Sequence, residues 1–275
     1  MTWQSGEIEA NGLRLHYTRT GGAKPAIVLA HGFSDDGLCW TPVTAILEAD
    51  YDVIMVDARG HGRSEGPEQG YGHEDHAADI AGLITGLGLE RPAVLGHSMG
   101  AATALALAGA YPDLPGVILL EDPPAWWVAG ALPGFDTERQ ARMRAGIVAL
   151  KRKLREELMA DQRAATPGWS EAELAPWADS KLRLSFNVLN RIGGASVDWP
   201  TLVQRVTCPA LLITADPARG AIVTAEGAAA LQTLAPQTRV VHIPNAGHSI
   251  RRDQFGPYME AVKAFLAENI KATSA

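Results

Sequence analysis

Val94-Leu95-Gly96-His97-Ser98-Met99-Gly100 joins two segments of opposite character. Pro92-Ala93-Val94-Leu95, leading into it, is a short apolar run that reads as a buried strand. Ala101 to Ala108, leading out of it, is rich in strong helix formers. Gly96-x-Ser98-x-Gly100 fits a strand-to-helix turn sharp enough to hold its middle residue in a strained backbone conformation. Glycine suits the positions on either side, because a Cβ there would collide with the neighbouring strand or helix. The turn projects the Ser98 hydroxyl from the sheet at the positive end of a helix, where a developing oxyanion is favoured. A Gly-rich turn whose serine merely caps a helix would carry the same three residues. The strand before it and the helix after it favour a nucleophile instead.

Outward from this turn the chain alternates strands and helices. Glu7 to Thr20 reads as a hairpin with Asn11-Gly12 at its turn. Ala26-Ile27-Val28-Leu29-Ala30 is a continuous apolar strand of the kind buried on both faces in a parallel sheet, and it ends in His31-Gly32-Phe33-Ser34. A helix near Trp40 to Ala49 leads to the strand Asp52 to Asp57 and the loop Ala58-Arg59-Gly60-His61-Gly62-Arg63-Ser64. A helix from His73 to Gly88 precedes the central strand. Gly116 to Leu120 is the next strand, ending at Glu121-Asp122-Pro123-Pro124.

From Ala125 to about Val206 the spacing predicts helices and no strand: Asp136 to Arg163 and Ser170 to Asn190, broken by Pro167-Gly168 and Gly193-Gly194. Strands resume with Ala210 to Thr214 and Arg239 to Ile243, the latter followed by Pro244-Asn245-Ala246-Gly247-His248-Ser249. An amphipathic helix from Phe255 to Ile270 closes the chain. The rhythm predicts an α/β fold with a doubly wound, mostly parallel sheet. An all-helical cap at 125–206 then interrupts a core formed by 1–124 and 207–275. The tryptophans of the cap mostly read as glue to the core. Trp126 and Trp127, leaving the strand edge, are expected to line a pocket with Leu38.

Composition narrows the function. A chain of 275 residues with 47% hydrophobic and 20% charged residues has material for one large core. A net charge of -7 argues against nucleic acid, since no basic stripe exists to displace phosphate counterions. The basic residues from Arg139 to Arg155 are interleaved with apolar ones and with Glu156 and Glu157 just beyond, as on a solvated helix face. Cys39 and Cys208 are too few for a disulfide framework and lack metal-ligand spacing, which fits a reducing compartment and implies neither metal nor organic cofactor. Neither a signal-peptide pattern nor a membrane-length apolar run is present, so the expectation is a cytoplasmic protein, with self-association left open.

A serine nucleophile needs a base within hydrogen-bond reach and an acid that holds the base's tautomer. Of the eight histidines, His248 is the best base, in a loop directly after the last strand. His97 should point into the body and His31 should brace its own loop. His31-Gly32-Phe33, Asp57-x-Arg59-Gly60-His61-Gly62-x-Ser64, Gly96-His97-Ser98-Met99-Gly100 and Asn245-Ala246-Gly247-His248 together resemble the α/β-hydrolase superfamily over essentially the whole chain. The resemblance implies the α/β-hydrolase fold and an oxyanion hole made by the backbone N–H groups of Phe33 and Met99, a sensible pair of donors for a developing charge.

The acid departs from the commonest pattern of that family. Where most relatives carry an Asp a few residues beyond the strand at 210–214, this chain reads Ala215-Asp216-Pro217-Ala218. The arrangement resembles that of haloalkane dehalogenases whose acid is a Glu at the tip of the preceding strand. Glu121 is therefore the expected acid, with Asp122 and Asp216 as alternatives. A serine at position 98 disfavours dehalogenation and epoxide opening, which need a carboxylate nucleophile. It fits attack on a small carboxylic ester or lactone through an acyl-enzyme. Two other readings remain at this stage. One is a carbon–carbon bond hydrolase of a diketone-like substrate, with Arg142, Arg144 or Arg183 holding a carboxylate. The other is a binding protein that keeps the site as a ligand clamp.

Overall fold

The computed structural model describes residues 3–130, 137–190 and 197–270. Its strands are β1 (Gln4–Ala10), β2 (Leu13–Arg19), β3 (Ala26–Ala30), β4 (Asp52–Val56), β5 (Ala93–His97), β6 (Val117–Glu121), β7 (Ala210–Thr214) and β8 (Thr238–His242). They form one 8-stranded sheet in the order β1-β2-β4-β3-β5-β6-β7-β8. Only β1 and β2 pair antiparallel, with each other and, through β2, with β4; β3 to β8 are parallel. The hairpin turns at Asn11-Gly12, both at positive φ (50° and 71°), as a two-residue turn matched to strand twist requires. β4 lies on one side of β3 and β5 on the other, so the loops leaving β3 and β5 part and open a crevice at their carboxyl ends.

Helices α1 (Thr41–Leu47), α2 (His73–Gly86), α3 (Met99–Ala110), α8 (Ala225–Leu234), α9 (Ile250–Asp253) and α10 (Phe255–Asn269) belong to the sheet layers. Between β6 and β7 come α4 (Thr137–Lys151), α5 (Arg155–Ala165), α6 (Glu171–Arg183) and α7 (Trp199–Gln204), with no strand among the described residues of this segment. Alternation along β6 shows why its sequence is apolar throughout. Ile118 and Leu120 enter the layer containing Leu83 and Leu105, whereas Val117 and Leu119 enter the layer containing Trp40 and Val262.

The single long helix expected from Asp136 to Arg163 is two helices among the described residues. Glu157 accepts a hydrogen bond from the Leu154 N–H (2.7 Å), a capping pair that starts α5 afresh. Asp136 and Gly193-Gly194 lie outside the described residues. No described helix is long and apolar enough to cross a membrane.

The elbow glycines are fixed by backbone contact. A Cβ on Gly96 would lie 2.2 Å from the Gly100 carbonyl oxygen, and one on Gly100 would lie 2.1 Å from the Ala30 carbonyl oxygen. α3 thus starts with its backbone against β3, closer than any side chain permits. Backbone cannot yield as a flexible side chain can. Gly100→Ala is therefore expected to destabilise the protein by about 3 kcal/mol, the upper end for overpacking. Urea unfolding would measure it, and a loss below 1 kcal/mol would contradict the packing described.

Two buried histidines add a pH dependence. The His61 Nδ1–H donates to the Arg59 carbonyl (2.8 Å), and burial, reinforced by nearby His31, pushes the imidazole down to about 3. Burial likewise holds His97 well below the usual histidine range, with further lowering by Arg251 and His248. Both fold neutral, while the unfolded chain protonates them near pH 6.5. Unfolding therefore takes up protons below that pH, and stability falls as pH drops from about 6.5, by up to about 1.4 kcal/mol per pH unit for each group. Urea midpoints between pH 8 and 4 should show this decline before carboxylates titrate, and His61→Asn should make it shallower.

Candidate active site

Ser98 sits between β5 and α3 at φ 51° and ψ -113°, a positive-φ position for a residue with a side chain. Its N–H donates to the Glu121 carbonyl (2.9 Å), which continues the β5–β6 ladder by one residue. His248 lies between β8 and α9, with its Nε2 3.0 Å from Ser98 Oγ and its Nδ1 2.6 Å from Asp122 Oδ2. The Nδ1–H donates to the carboxylate, which leaves Nε2 as the acceptor for the serine proton. Asp122 is fully buried, and its carboxylate also accepts the N–H groups of Ile222 (2.8 Å) and Val223 (2.9 Å). These fixed donors aim it at the imidazole.

The expectation that Glu121 is the acid is corrected by this geometry. Glu121 pairs in register with His97 at the ends of β6 and β5, so its side chain shares the His97 face of the sheet. It accepts the Arg251 N–H (2.9 Å) and an Arg251 guanidinium N–H (3.1 Å), and burial raises its carboxyl against the pull of Arg251. Asp122, one residue on and at φ 42°, turns the other way and meets His248. Asp216 is occupied elsewhere, accepting the Asn245 N–H (2.7 Å) and contacting His242 Nε2 (3.0 Å).

His97 is buried as its strand position implies, and it also buttresses His248. Its Nε2–H donates to the His248 carbonyl (3.0 Å), and the two rings lie 4.8 Å apart. His31 braces two loops, its Nδ1–H donating to the Gly32 carbonyl (2.8 Å) and its Nε2 accepting the Ala58 N–H (3.0 Å).

A Cβ on Gly32 would lie 3.4 Å from Ser98 Cβ, so the loop carrying Phe33 passes directly beside the serine. Met99 opens α3, where its N–H has no carbonyl inside the helix to receive it. The Phe33 ring meets His61 edge-on (5.9 Å between centroids) and, like Met143 of α4 and Phe186, packs against the cluster of Tyr71, Ile147 and Val188. Of the expected pocket walls, Trp126 is half-buried with its ring 5.8 Å from that of His73. Trp127 is instead a core anchor, its indole N–H donating to the Gly227 carbonyl (2.8 Å). Leu38 packs toward the Trp40 layer. Arg142 pairs with Glu138 and Arg183 with Asp36 (3.1 Å), while Arg144 lies over Phe186 (4.8 Å).

Sequence reasoning missed a buried charge cluster behind the site. Asp35 Oδ1 receives Lys181 of α6 (2.7 Å), and Asp35 Oδ2 receives Arg252 (3.0 Å) with Arg251 at 3.5 Å. Arg252 also holds Glu173 of α6 (2.9 Å), and Arg251 holds Glu121. Each cation lies over a tryptophan: Arg251 on Trp40, Arg252 on Trp169 and Lys181 on Trp177. Burial alone would raise the Asp35 carboxyl, but Arg252, Lys181 and Arg251 hold it well below the usual carboxylate range. Three anions and three cations balance, which is how charges withstand burial. The signal was present in the sequence: Asp35-Asp36 two residues past Phe33, and Arg251-Arg252 three residues past His248.

Residues 27–261 match the model of the alpha/beta hydrolase family. The chain is 31% identical over 270 residues to N-formylmaleamate deformylase of Pseudomonas putida, covering 95% of this chain and 96% of that protein. It is 28% identical over 257 residues to 2-(acetamidomethylene)succinate hydrolase of Mesorhizobium japonicum, covering 90% of each. The crystal structure of the enol-lactonase from Burkholderia xenovorans superimposes with a TM-score of 0.73 at 26% identity, over 95% of this chain and 99% of that one. The match spans both flanks of the helical segment between β6 and β7 and takes in Ser98, Asp122 and His248: the chain belongs to the alpha/beta hydrolase family.

Proposed function

We propose that this chain is a serine hydrolase that cleaves a small carboxylic ester or lactone through an acyl-enzyme on Ser98. The observation that carries the reading is the unbroken relay from Ser98 Oγ to His248 Nε2 (3.0 Å) and from His248 Nδ1 to Asp122 Oδ2 (2.6 Å). As Ser98 Oγ attacks the carbonyl carbon, its proton passes to His248 Nε2, and the buried Asp122 carboxylate stabilises the imidazolium. The carbonyl oxygen becomes an oxyanion held by the Phe33 and Met99 N–H groups. Collapse breaks the bond to the leaving oxygen, which takes the proton from His248. Water then donates a proton to His248 and adds to the acyl carbon, and a second collapse frees the acid and restores Ser98.

A second reading, an N-acyl amide substrate, is favoured by the 31% identity to a deformylase over nearly the whole chain. It needs the same residues, with His248 protonating a leaving nitrogen. The carbon–carbon hydrolase is not favoured, and two of the three arginines offered for its carboxylate already have acidic partners.

A panel of p-nitrophenyl esters, lactones and N-formyl or N-acetyl amides of graded size tests both readings. Turnover should fall by about 10⁴-fold or more in Ser98→Ala, and survival of full activity in that variant would refute a serine mechanism. Asp122→Asn should lower kcat by about 10³- to 10⁴-fold with the fold intact, since the imidazole loses the partner that sets its tautomer. Asp216→Asn should leave kcat near wild type. Equal losses in the two aspartate variants would count against Asp122 as the acid.

A further inference from the structure

We propose that Lys181 of the cap is a positioning residue for the oxyanion donor at Phe33, so that a correctly seated cap completes the oxyanion hole. The inference rests on the serine-hydrolase reading above. The Asp35 N–H donates to the Gly32 carbonyl (3.1 Å), closing a four-residue turn with Phe33 and Ser34 at its centre. Ser34 stands at φ 66°, at the turn position where positive φ normally selects glycine. Its side chain therefore disfavours the conformation that the turn requires, and something outside the turn must hold it.

Lys181 supplies that hold. Its Nζ donates to the Ser34 carbonyl (2.9 Å) and to Asp35 Oδ1 (2.7 Å), gripping the turn at the two residues that follow Phe33. Lys181 and Asp35 are both buried, so water does not compete for these bonds. The grip is itself anchored. Asp35 reaches Arg252, which binds Glu173 one helical face along α6, and Arg251, which binds Glu121 beside the acid-bearing Asp122. Four segments meet in this cluster: the turn of Phe33, the end of β6, the segment following His248, and the cap. Displacing α6 removes the Ser34 bond and leaves Asp35 short of one cation. The turn at Phe33 is then free to relax away from the serine. Misplacement of a reacting group by about 1 Å can cost about a hundredfold in rate, so this grip is large enough to matter.

The test compares wild type with Lys181→Met and Lys181→Arg on a p-nitrophenyl ester. Active sites are counted by a fluorophosphonate that labels Ser98, and affinity is measured for a trifluoromethyl ketone whose tetrahedral adduct needs the oxyanion hole. Lys181→Met should lower kcat per labelled site by about tenfold to a hundredfold with KM within about twofold. The ketone should weaken by the same factor. Lys181→Arg keeps the charge but changes the reach, and should recover part of the loss. It also serves as the decisive variant if the methionine protein does not fold. A lower labelled fraction with unchanged kcat per labelled site would mean a merely structural lysine and would overturn the proposal. So would an effect confined to KM. Wild type that neither labels nor turns over would instead remove the serine-hydrolase reading on which the proposal stands.

Discussion

The backbone contact between Gly100 and Ala30 is the constraint on which the rest of the molecule depends. α3 can start against β3 only because residue 100 has no Cβ, and residue 96 must be equally bare to let the chain reverse. That closeness forces Ser98 to positive φ and out of the sheet. It also brings the loop after β3 beside the serine, because β3 and β5 are neighbours. Candidate nucleophile and candidate oxyanion loop are thus placed by one packing event, at the point where the strand order reverses.

The second organising feature is the division of labour at the end of β6. Glu121 is the last residue of β6 and Asp122 turns off the strand at positive φ, so the two serve different neighbourhoods although both are buried carboxylates. Asp122 meets His248 and is fixed by the N–H groups of Ile222 and Val223. Glu121 meets Arg251 and joins the charge cluster that includes Asp35, Lys181, Arg252 and Glu173. One side of the strand end faces His248. The other ties the strand to the segment after His248 and, through it, to α6. Leaving any one of these charges without its partner would be costly in so dry a setting, which makes the cluster a stiff joint.

Proteins similar to this chain over 95% of its length are named for different bonds, an N-formyl group in one case and an enol-lactone in another. Phe33, from the loop after β3, packs on the same buried cluster as Met143 and Phe186, which lie between β6 and β7.

The sequence by itself determined the alternation of strands and helices, the elbow at Ser98, the late histidine and the all-helical character between β6 and β7 among the described residues. Those features are local: apolar runs, helix formers, and glycines at fixed offsets from a serine. Only the tertiary structure decided which carboxylate faces His248, because the choice between Glu121 and Asp122 depends on register with β5 and on the positive φ at residue 122. It likewise moved Trp127 into the core and assembled the six-charge cluster from residues as distant as 35 and 252. A charged residue in a sequence carries no sign of its future partner. Pairing of buried charges is fixed by which loops the sheet brings together, and that is a property of the whole fold.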